Sequence, residues 1–285
     1  LYKELGINSF KKLKKAAGQG DIRELEGFGE KTEQKILDAL KGWEERGGSR
    51  KRMLLLEAEE IAEPLLDYVA SQKGVKQAEI AGSFRRRKET VGDLDILVTC
   101  ERGCEIMESF VSYEDVESVV AKGDTKSAVM LRNGCQVDLR VVPAVGYGAA
   151  LVYFTGSKAH NIRLRKKGNG KGLKINEYGI FKDDDRIAEK TEEEVYEKVN
   201  MIRPEPELRE DNGEIEAAED DSLPSLVTLE DIKGDLQSHS TATDGKADLE
   251  DMAEKARELG YEYLANTDHS KRVHVAGGMD EKELE

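Results

Sequence analysis

The segment "GDLDIL", Gly92 to Leu97, places two aspartates, Asp93 and Asp95, one residue apart in an otherwise apolar run. On a strand, side chains two apart share a face, so the pattern predicts a sheet with one apolar face and two adjacent carboxylates on the other. Carboxylates that close do not both stay ionised without a cation between them. A third acid, Asp138, sits in a second strand-like run, "CQVDLRVV". If the two strands pair, three carboxylates converge into an oxygen-only donor set. Such a set suits Mg²⁺ and holds two metals ~3.5–4 Å apart. Just upstream, "AEIAGSFRRRKETV" runs a strand into Gly82-Ser83, a turn that offers backbone N–H groups and a hydroxyl to an anion. Arg86 supplies a fork for phosphate oxygens, and Gly92 permits close approach of the chain. Together these predict a triphosphate held with its α-phosphorus over the metals.

The rest of the chain frames that stretch. Residues 1–45 have apolar positions at helical spacing, broken at "AAGQGD" and "EGFGEK", which predicts helix, Gly-rich turn, helix. "GGSRKR" (Gly47 to Arg52) reads as a linker, and a helix is expected from Met53 to Ser71 with Pro64 inside it. "KQAEIAG" and "DLDILVTC" are strand-like; "AVMLRNGCQVDLRVV" reads as two strands around an "RNG" turn. Residues 148–176 read as loop and helix, and "TEEEVYEKVNMI" as a helix with a Thr cap. "RPEPELREDNGEIEAAEDDSLPS" has the composition of an interdomain connection. A strand–helix–strand unit then starts near Asp231.

Charge bears on partners. Net charge is -15, with 36% charged residues. Yet Lys158 to Lys174 holds seven Lys/Arg and no acid, whereas Glu205 to Asp221 holds nine acids and one base. Local field rather than total charge guides a polyanion to a surface. No apolar run approaches the ~18–20 residues of a membrane helix, so no membrane partner is expected. Cys100, Cys104 and Cys135 lack zinc-like spacing and read as reduced thiols of a cytosolic protein. The start at Leu1 reads as an excised piece.

"GSFRRRKETVGDLDIL" with "VDLRVVP" resembles the nucleotidyltransferase palm of family X DNA polymerases, the group containing DNA polymerase beta. "YFTGSKAHNIRLR" and "GLKINEYGIF" resemble the thumb of the same family. The resemblance implies an α+β multidomain chain: a helix-hairpin-helix subdomain at 1–48, a mixed-sheet palm at 49–145, an α/β thumb at 146–210 and an acidic linker at 211–229. By that resemblance Asp93, Asp95 and Asp138 are the catalytic metal ligands for two Mg²⁺ or Mn²⁺ ions, and Asp138 accepts the primer hydroxyl proton. Gly82, Ser83, Arg86 and Gly92 would bind the triphosphate. Tyr153 and Phe154 would pack on the nucleotide sugar, Asn161 would touch the base edge, and Arg165 would steady the template. Lys158 stands where better-known members carry an acid, and His160 where they carry an apolar residue; a partly packed ring is expected for the latter. Glu177-Tyr178 is read as structural. "LEGFGEKTEQKIL" resembles a helix-hairpin-helix whose Gly27 and Gly29 N–H groups, with Lys31, would hold a DNA phosphate. The family's N-terminal lyase-type domain is expected to be absent.

"KGDLQSHSTATDG" and "NTDHS" resemble the first motifs of a PHP domain, an α/β barrel whose βαβ start would fill 230–285. His239, Asp244 and His269 would ligate Zn²⁺ or Mn²⁺, although Gln237 replaces the usual first His. Its 3′–5′ exonuclease or phosphoesterase activity is expected only in the intact protein.

The function expected is template-directed DNA polymerisation on gapped or primer-template DNA with dNTP, in base excision repair, by a cytoplasmic, nucleoid-associated monomer. The alternatives are a template-independent nucleotidyltransferase and a DNA-end binding module without catalysis.

Overall fold

The computed structural model describes residues 1–45, 52–101, 105–183, 185–187 and 190–284. Cys104 and all of the expected linker except Arg52 lie outside them. The chain divides into two compact units, Leu1–Leu223 and Pro224–Glu285.

The first unit opens with α1 (Tyr2–Leu5), α2 (Phe10–Gln19) and α3 (Glu30–Glu45). Ser9 caps α2 through its hydroxyl, and Gly20 ends it with a φ of 85° that favours glycine. Ala16, Ala17 and Ile22 are buried between α2 and α3. The connecting turn is pinned by Glu33, 1% exposed, which accepts from the Arg23 backbone at 3.1 Å and from Arg23 Nε at 2.6 Å. The expected helix–turn–helix is present.

Next come β1 (Met53–Leu54), α4 (Leu55–Ser71), β2 (Val75–Ile80), α5 (Gly82–Arg85), β3 (Thr90–Val91), β4 (Asp93–Cys100), α6 (Ile106–Val111), β5 (Val116–Ala121), β6 (Lys126–Leu131) and β7 (Gln136–Val141). Five of these strands form one sheet in the order β2-β4-β7-β6-β5. β4 and β7 run parallel; the other neighbours are antiparallel. The period of two is visible in burial: Leu94, Ile96, Val137 and Leu139 are fully covered, while Asp93, Asp95 and Asp138 between them are half-buried. The covered face packs on Ala58, Ala62, Leu65 and Val69 of α4 and Phe110 of α6. The helix expected from Met53 starts two residues later, because Met53 and Leu54 pair with Val91 and Thr90. The "RNG" turn forms as expected: Gly134 sits at φ 84°, and Asn133 Oδ1 accepts from Cys135 N at 2.9 Å. Strand β5 was not expected. It is the sheet edge, and Glu117 to Ala121 are all exposed, so no burial alternation marks it.

The remainder of the unit comprises α7 (Tyr147–Thr155), α8 (Lys158–Gly170), β8 (Leu173–Asn176), β9 (Gly179–Lys182), β10 (Asp185–Ile187), α9 (Glu192–Glu197) and α10 (Glu214–Glu219). Where loop and helix were read over 148–176, β8 instead opens an antiparallel three-stranded sheet, β10-β9-β8. A Cβ at Gly148 would collide with the Thr191 backbone, so α7 and the start of α9 approach as only glycine allows. α9 ends at Glu197, short of the expected Ile202, and Asn200 turns the chain at φ 61°.

The acidic run is packed into the first unit as far as Ala218 and mostly exposed from Glu219 onward, and the boundary between the two units, after Leu223, falls within the linker expected at 211–229. Arg209 is 0% exposed, and Glu214, Ile215 and Ala218 are buried with Val195 and Tyr196. His160, expected to be partly packed, is wholly buried, with Nδ1 2.7 Å from Glu214 Oε1 and Nε2 2.8 Å from the Tyr196 hydroxyl. Burial lowers its pKa, so the ring is neutral, donating to the carboxylate and accepting from the phenol. That chain ties α8 to α9 and α10.

The second unit contains β11 (Gly234–Ser238), α11 (Leu249–Glu258) and β12 (Tyr263–Asn266), with β11 and β12 parallel. This is the expected βαβ order, and Asp248 caps the helix by accepting from Asp251 N. No described helix is long and apolar enough to cross a membrane.

Candidate active site

The parallel β4–β7 ladder sets Asp95 directly opposite Asp138 and Asp93 opposite Gln136. Neighbouring strands lie ~4.8 Å apart, so all three carboxylates emerge on one face within a short span. Burial, then the charges of Asp93 and Asp138, push the Asp95 pKa up to about 6, against the opposing pull of Arg140 and Lys126. Asp138 is held by Lys126 Nζ at 2.7 Å on Oδ2 and by Gln136 Nε2 at 2.8 Å on Oδ1. Asp93 and Asp138 thus add to the proton affinity of Asp95, and an all-oxygen face of this kind suits a hard divalent cation, although the three carboxylates are not drawn together into a ready ligand group as the second unit's His239, Asp244 and His269 are.

Removing one of those charges should show in stability. Asp95→Asn is expected to raise the metal-free protein's stability at pH 8 by roughly 2 kcal/mol. The folded-state pKa lies above the unfolded one, so the wild type loses stability as pH rises from about 4 to about 6. The gain should therefore vanish near pH 4. Melting curves at both pH values check this, and added Mg²⁺ should raise the wild-type midpoint more than the variant's.

The anion turn is built around the same aspartate. Gly82 has φ 66°, and a Cβ there would lie 2.9 Å from Asp95 Oδ2, so glycine is required both by conformation and by space. Ala81 N donates to Asp95 O at 2.7 Å, and Lys88 N to Ser83 O at 3.1 Å, which closes the loop over Ser83. Arg86 donates through Nε to Glu210 Oε1 at 2.8 Å and through Nη1 to Thr155 O at 2.6 Å. A Cβ at Gly92 would meet only the Arg52 guanidinium, at 3.0 Å, which is itself hydrogen-bonded to Thr90.

Tyr153 and Phe154 pack edge to face, with ring centres 5.0 Å apart. Arg140 lies over the Phe154 ring at 4.5 Å. The Asn161 amide donates to Tyr153 O at 2.7 Å, so in this state it holds the end of α7 rather than projecting a free donor. Exposed Arg165 reaches back to Asn161 O at 3.3 Å. The Gly156-Ser157 peptide between α7 and α8 is cis. Tyr178 is largely exposed at the β8–β9 turn, where Asn176 Oδ1 accepts its N–H at 2.9 Å.

Sequence reasoning passed over Arg85. Its guanidinium bridges Glu192 at 2.8 and 3.0 Å, Thr155 at 2.9 Å and Glu79 at 2.6 Å. Glu192 also receives a second fork from Arg209, at 2.6 and 3.0 Å. One carboxylate thus joins α5 beside the site to α9 and the 203–211 segment. The only hint in the sequence was the run of consecutive arginines, which successive helical positions aim in different directions.

At the first turn, Gly27 (φ 83°) and Gly29 have open space where a Cβ would lie, and Lys31 and Lys35 are exposed nearby. In the second unit, His239 Nδ1 is 2.7 Å from Asp244 Oδ1, and His269 Nε2 is 3.4 Å from Asp244 Oδ2. Their ligand atoms lie within 4.8 Å of one another, the one such group among the described residues. The hydrogen bond from His239 is the main cause that holds the Asp244 carboxyl below its usual range. Neighbouring Asp268 accepts from Ser240 and Asn266, which fixes the two strand ends together. Gln237 is exposed beside them.

The site thus sits on a mixed sheet that bears carboxylates and is followed by a helical and β subdomain. Residues 52–131 match the DNA polymerase beta palm and residues 150–210 the DNA polymerase beta thumb. Those two stretches of the chain are thus DNA polymerase beta-like, one in its palm and the other in its thumb. It is 36% identical over 288 residues to DNA polymerase/3′-5′ exonuclease PolX of Bacillus subtilis, covering 100% of this chain and 50% of that protein. It spans about half that relative's length. Repair DNA polymerase X of African swine fever virus is 27% identical over 136 residues, 45% of this chain and 78% of the viral protein. Among solved structures, Leishmania infantum polymerase beta in a ternary primer–template complex aligns with a TM-score of 0.56 at 22% identity. That alignment covers 74% of this chain and 91% of the other, a likeness of fold.

Proposed function

We propose that the chain is a template-directed DNA polymerase that adds a deoxynucleoside monophosphate to a primer 3′-hydroxyl, filling short gaps in base excision repair. The observation that carries this is the pairing of Asp95 with Asp138 across β4 and β7, with Asp93 alongside and the Gly82 turn against Asp95. Asp93, Asp95 and Asp138 would hold two divalent ions, Mg²⁺ or Mn²⁺. When bound, these supply charge neutralisation at the triphosphate and lower the proton affinity of the attacking hydroxyl. Asp138 takes the hydroxyl proton as the 3′-oxygen bonds to the α-phosphorus, and the bond to the bridging oxygen breaks to release pyrophosphate. Gly82, Ser83, Arg86 and Gly92 orient the triphosphate, and Tyr153 and Phe154 pack on the sugar. Asn161 reaches the base edge once released from Tyr153 O. Arg165, and the Gly27–Gly29 turn with Lys31, hold DNA backbone, which fixes position without reading sequence.

In the second unit, His239, Asp244 and His269 would hold Zn²⁺ or Mn²⁺ as the start of a PHP barrel, consistent with the exonuclease named in the Bacillus subtilis relative. We place the protein in the cytoplasm at the nucleoid, as a monomer.

The test is extension of a one-nucleotide-gapped duplex with each dNTP singly. Only the complementary nucleotide should be added, and EDTA should abolish addition. Incorporation indifferent to the template base would replace this reading with template-independent transfer.

A further inference from the structure

Glu210 occupies the arginine that the nucleotide site needs. Its Oε1 accepts from Arg86 Nε at 2.8 Å and lies 3.5 Å from Lys88 Nζ. Arg86 is 13% and Glu210 22% exposed, so the contact is largely shielded from water. Ser83, Arg86 and Lys88 belong to one tight turn closed by the Lys88 N to Ser83 O bond. A carboxylate therefore sits on the cations of the proposed phosphate cradle.

Two roles are open to such a group: it could aim Arg86, or it could compete for it. Competition fits better. Arg86 is already anchored by Thr155 O at 2.6 Å, so it does not depend on Glu210 for direction. A carboxylate that stayed in place would face a multiply charged triphosphate at contact range, where like charges repel strongly in a partly buried site. Neighbouring Glu192 is different: at 4% exposure and forked by two arginines, it is locked in.

Resting on the nucleotide site proposed above, we propose that Glu210 is a specificity-determining residue. It is an internal anion on Arg86 and Lys88 that a polyphosphate displaces and a single phosphate does not. It sets a threshold that keeps the cradle clear of inorganic phosphate and mononucleotides. Displacement needs only the Glu210 side chain to swing, because the neighbouring Arg209 stays forked on Glu192 and its O keeps Ser157 N at 2.9 Å.

The test is calorimetric binding of inorganic tripolyphosphate, inorganic phosphate and dTTP to the full chain. Glu210→Gln should bind tripolyphosphate about tenfold tighter, equivalent to removing one competing ion pair, and should show measurable phosphate binding where the wild type shows little. Glu210→Asp, which keeps the charge but shortens the reach, should shift in the same direction by less, and serves if the Gln variant folds poorly. Adding Arg86→Ala to Glu210→Gln should erase the gain. Unchanged or weaker tripolyphosphate binding by both single variants would overturn the proposal. Tightened binding without template-matched extension by the wild type would keep it and remove the polymerase reading; the converse result would do the reverse.

Discussion

Asp138→Ala is expected to lower single-turnover primer extension by at least ~10³-fold, since one ligand to the ions and the proton acceptor go together. Folding should survive. The Asp138 side chain lies on the half-exposed face, whereas Val137 and Leu139, which bury the strand, are untouched. Truncation also removes one of the charges that burden Asp95. The melting temperature without metal should accordingly be equal to or above wild type, and dTTP binding should be partly retained through the Gly82–Arg86 turn. Extension at a near wild-type rate would remove Asp138 from the chemistry.

Glu192→Gln should cost about 3 kcal/mol of folding stability, within the range for removing one partner of a buried ion pair. Burial alone would raise the pKa of Glu192, but the hydrogen bonds and charges of Arg209 and Arg85 outweigh it and hold the group at about 2. A depressed pKa gives stability that is fully present above the ordinary value of 4.5 and is lost as pH falls towards 2. The gap between wild type and variant in urea midpoint should therefore be constant from pH 8 to 5 and close below that. Because Arg85 follows directly on the anion turn, the KM for dNTP should also rise. A variant as stable as wild type at pH 7 would mean that Arg85 and Arg209 find other partners.

The centre of the palm was legible in the chain because its two signals are local. Alternation in "DLDILV" and "QVDLRV" fixes which side each aspartate faces, and "RNG" fixes the hairpin. Nothing local says that β4 lies beside β7. That neighbourhood depends on β5 and β6 being laid outside them, and β5 carries no alternation because it is an exposed edge. The thumb sheet escaped for a related reason: β8, β9 and β10 have three or four residues each, too few for a period to show. The acidic run misled through composition. Glu210 and Glu214 are matched by Arg86 and His160, more than 50 residues away in sequence, and no count of charges reveals partners that distant. Arg86 and Asn161 were placed at the site, but the intramolecular bonds that occupy them in this state could not be read from residue type.

Strand registration here has an outcome for how this protein tolerates change. Because inward and outward positions alternate, the packing of Leu94, Val137 and Leu139 acts as a ruler that spaces the acids above them. A one-residue slip between β4 and β7 would sink the carboxylates into the oily interior and turn leucines to water. Core repairs that shift this ladder by even a fraction of its pitch should therefore register as lost turnover before they register as lost fold.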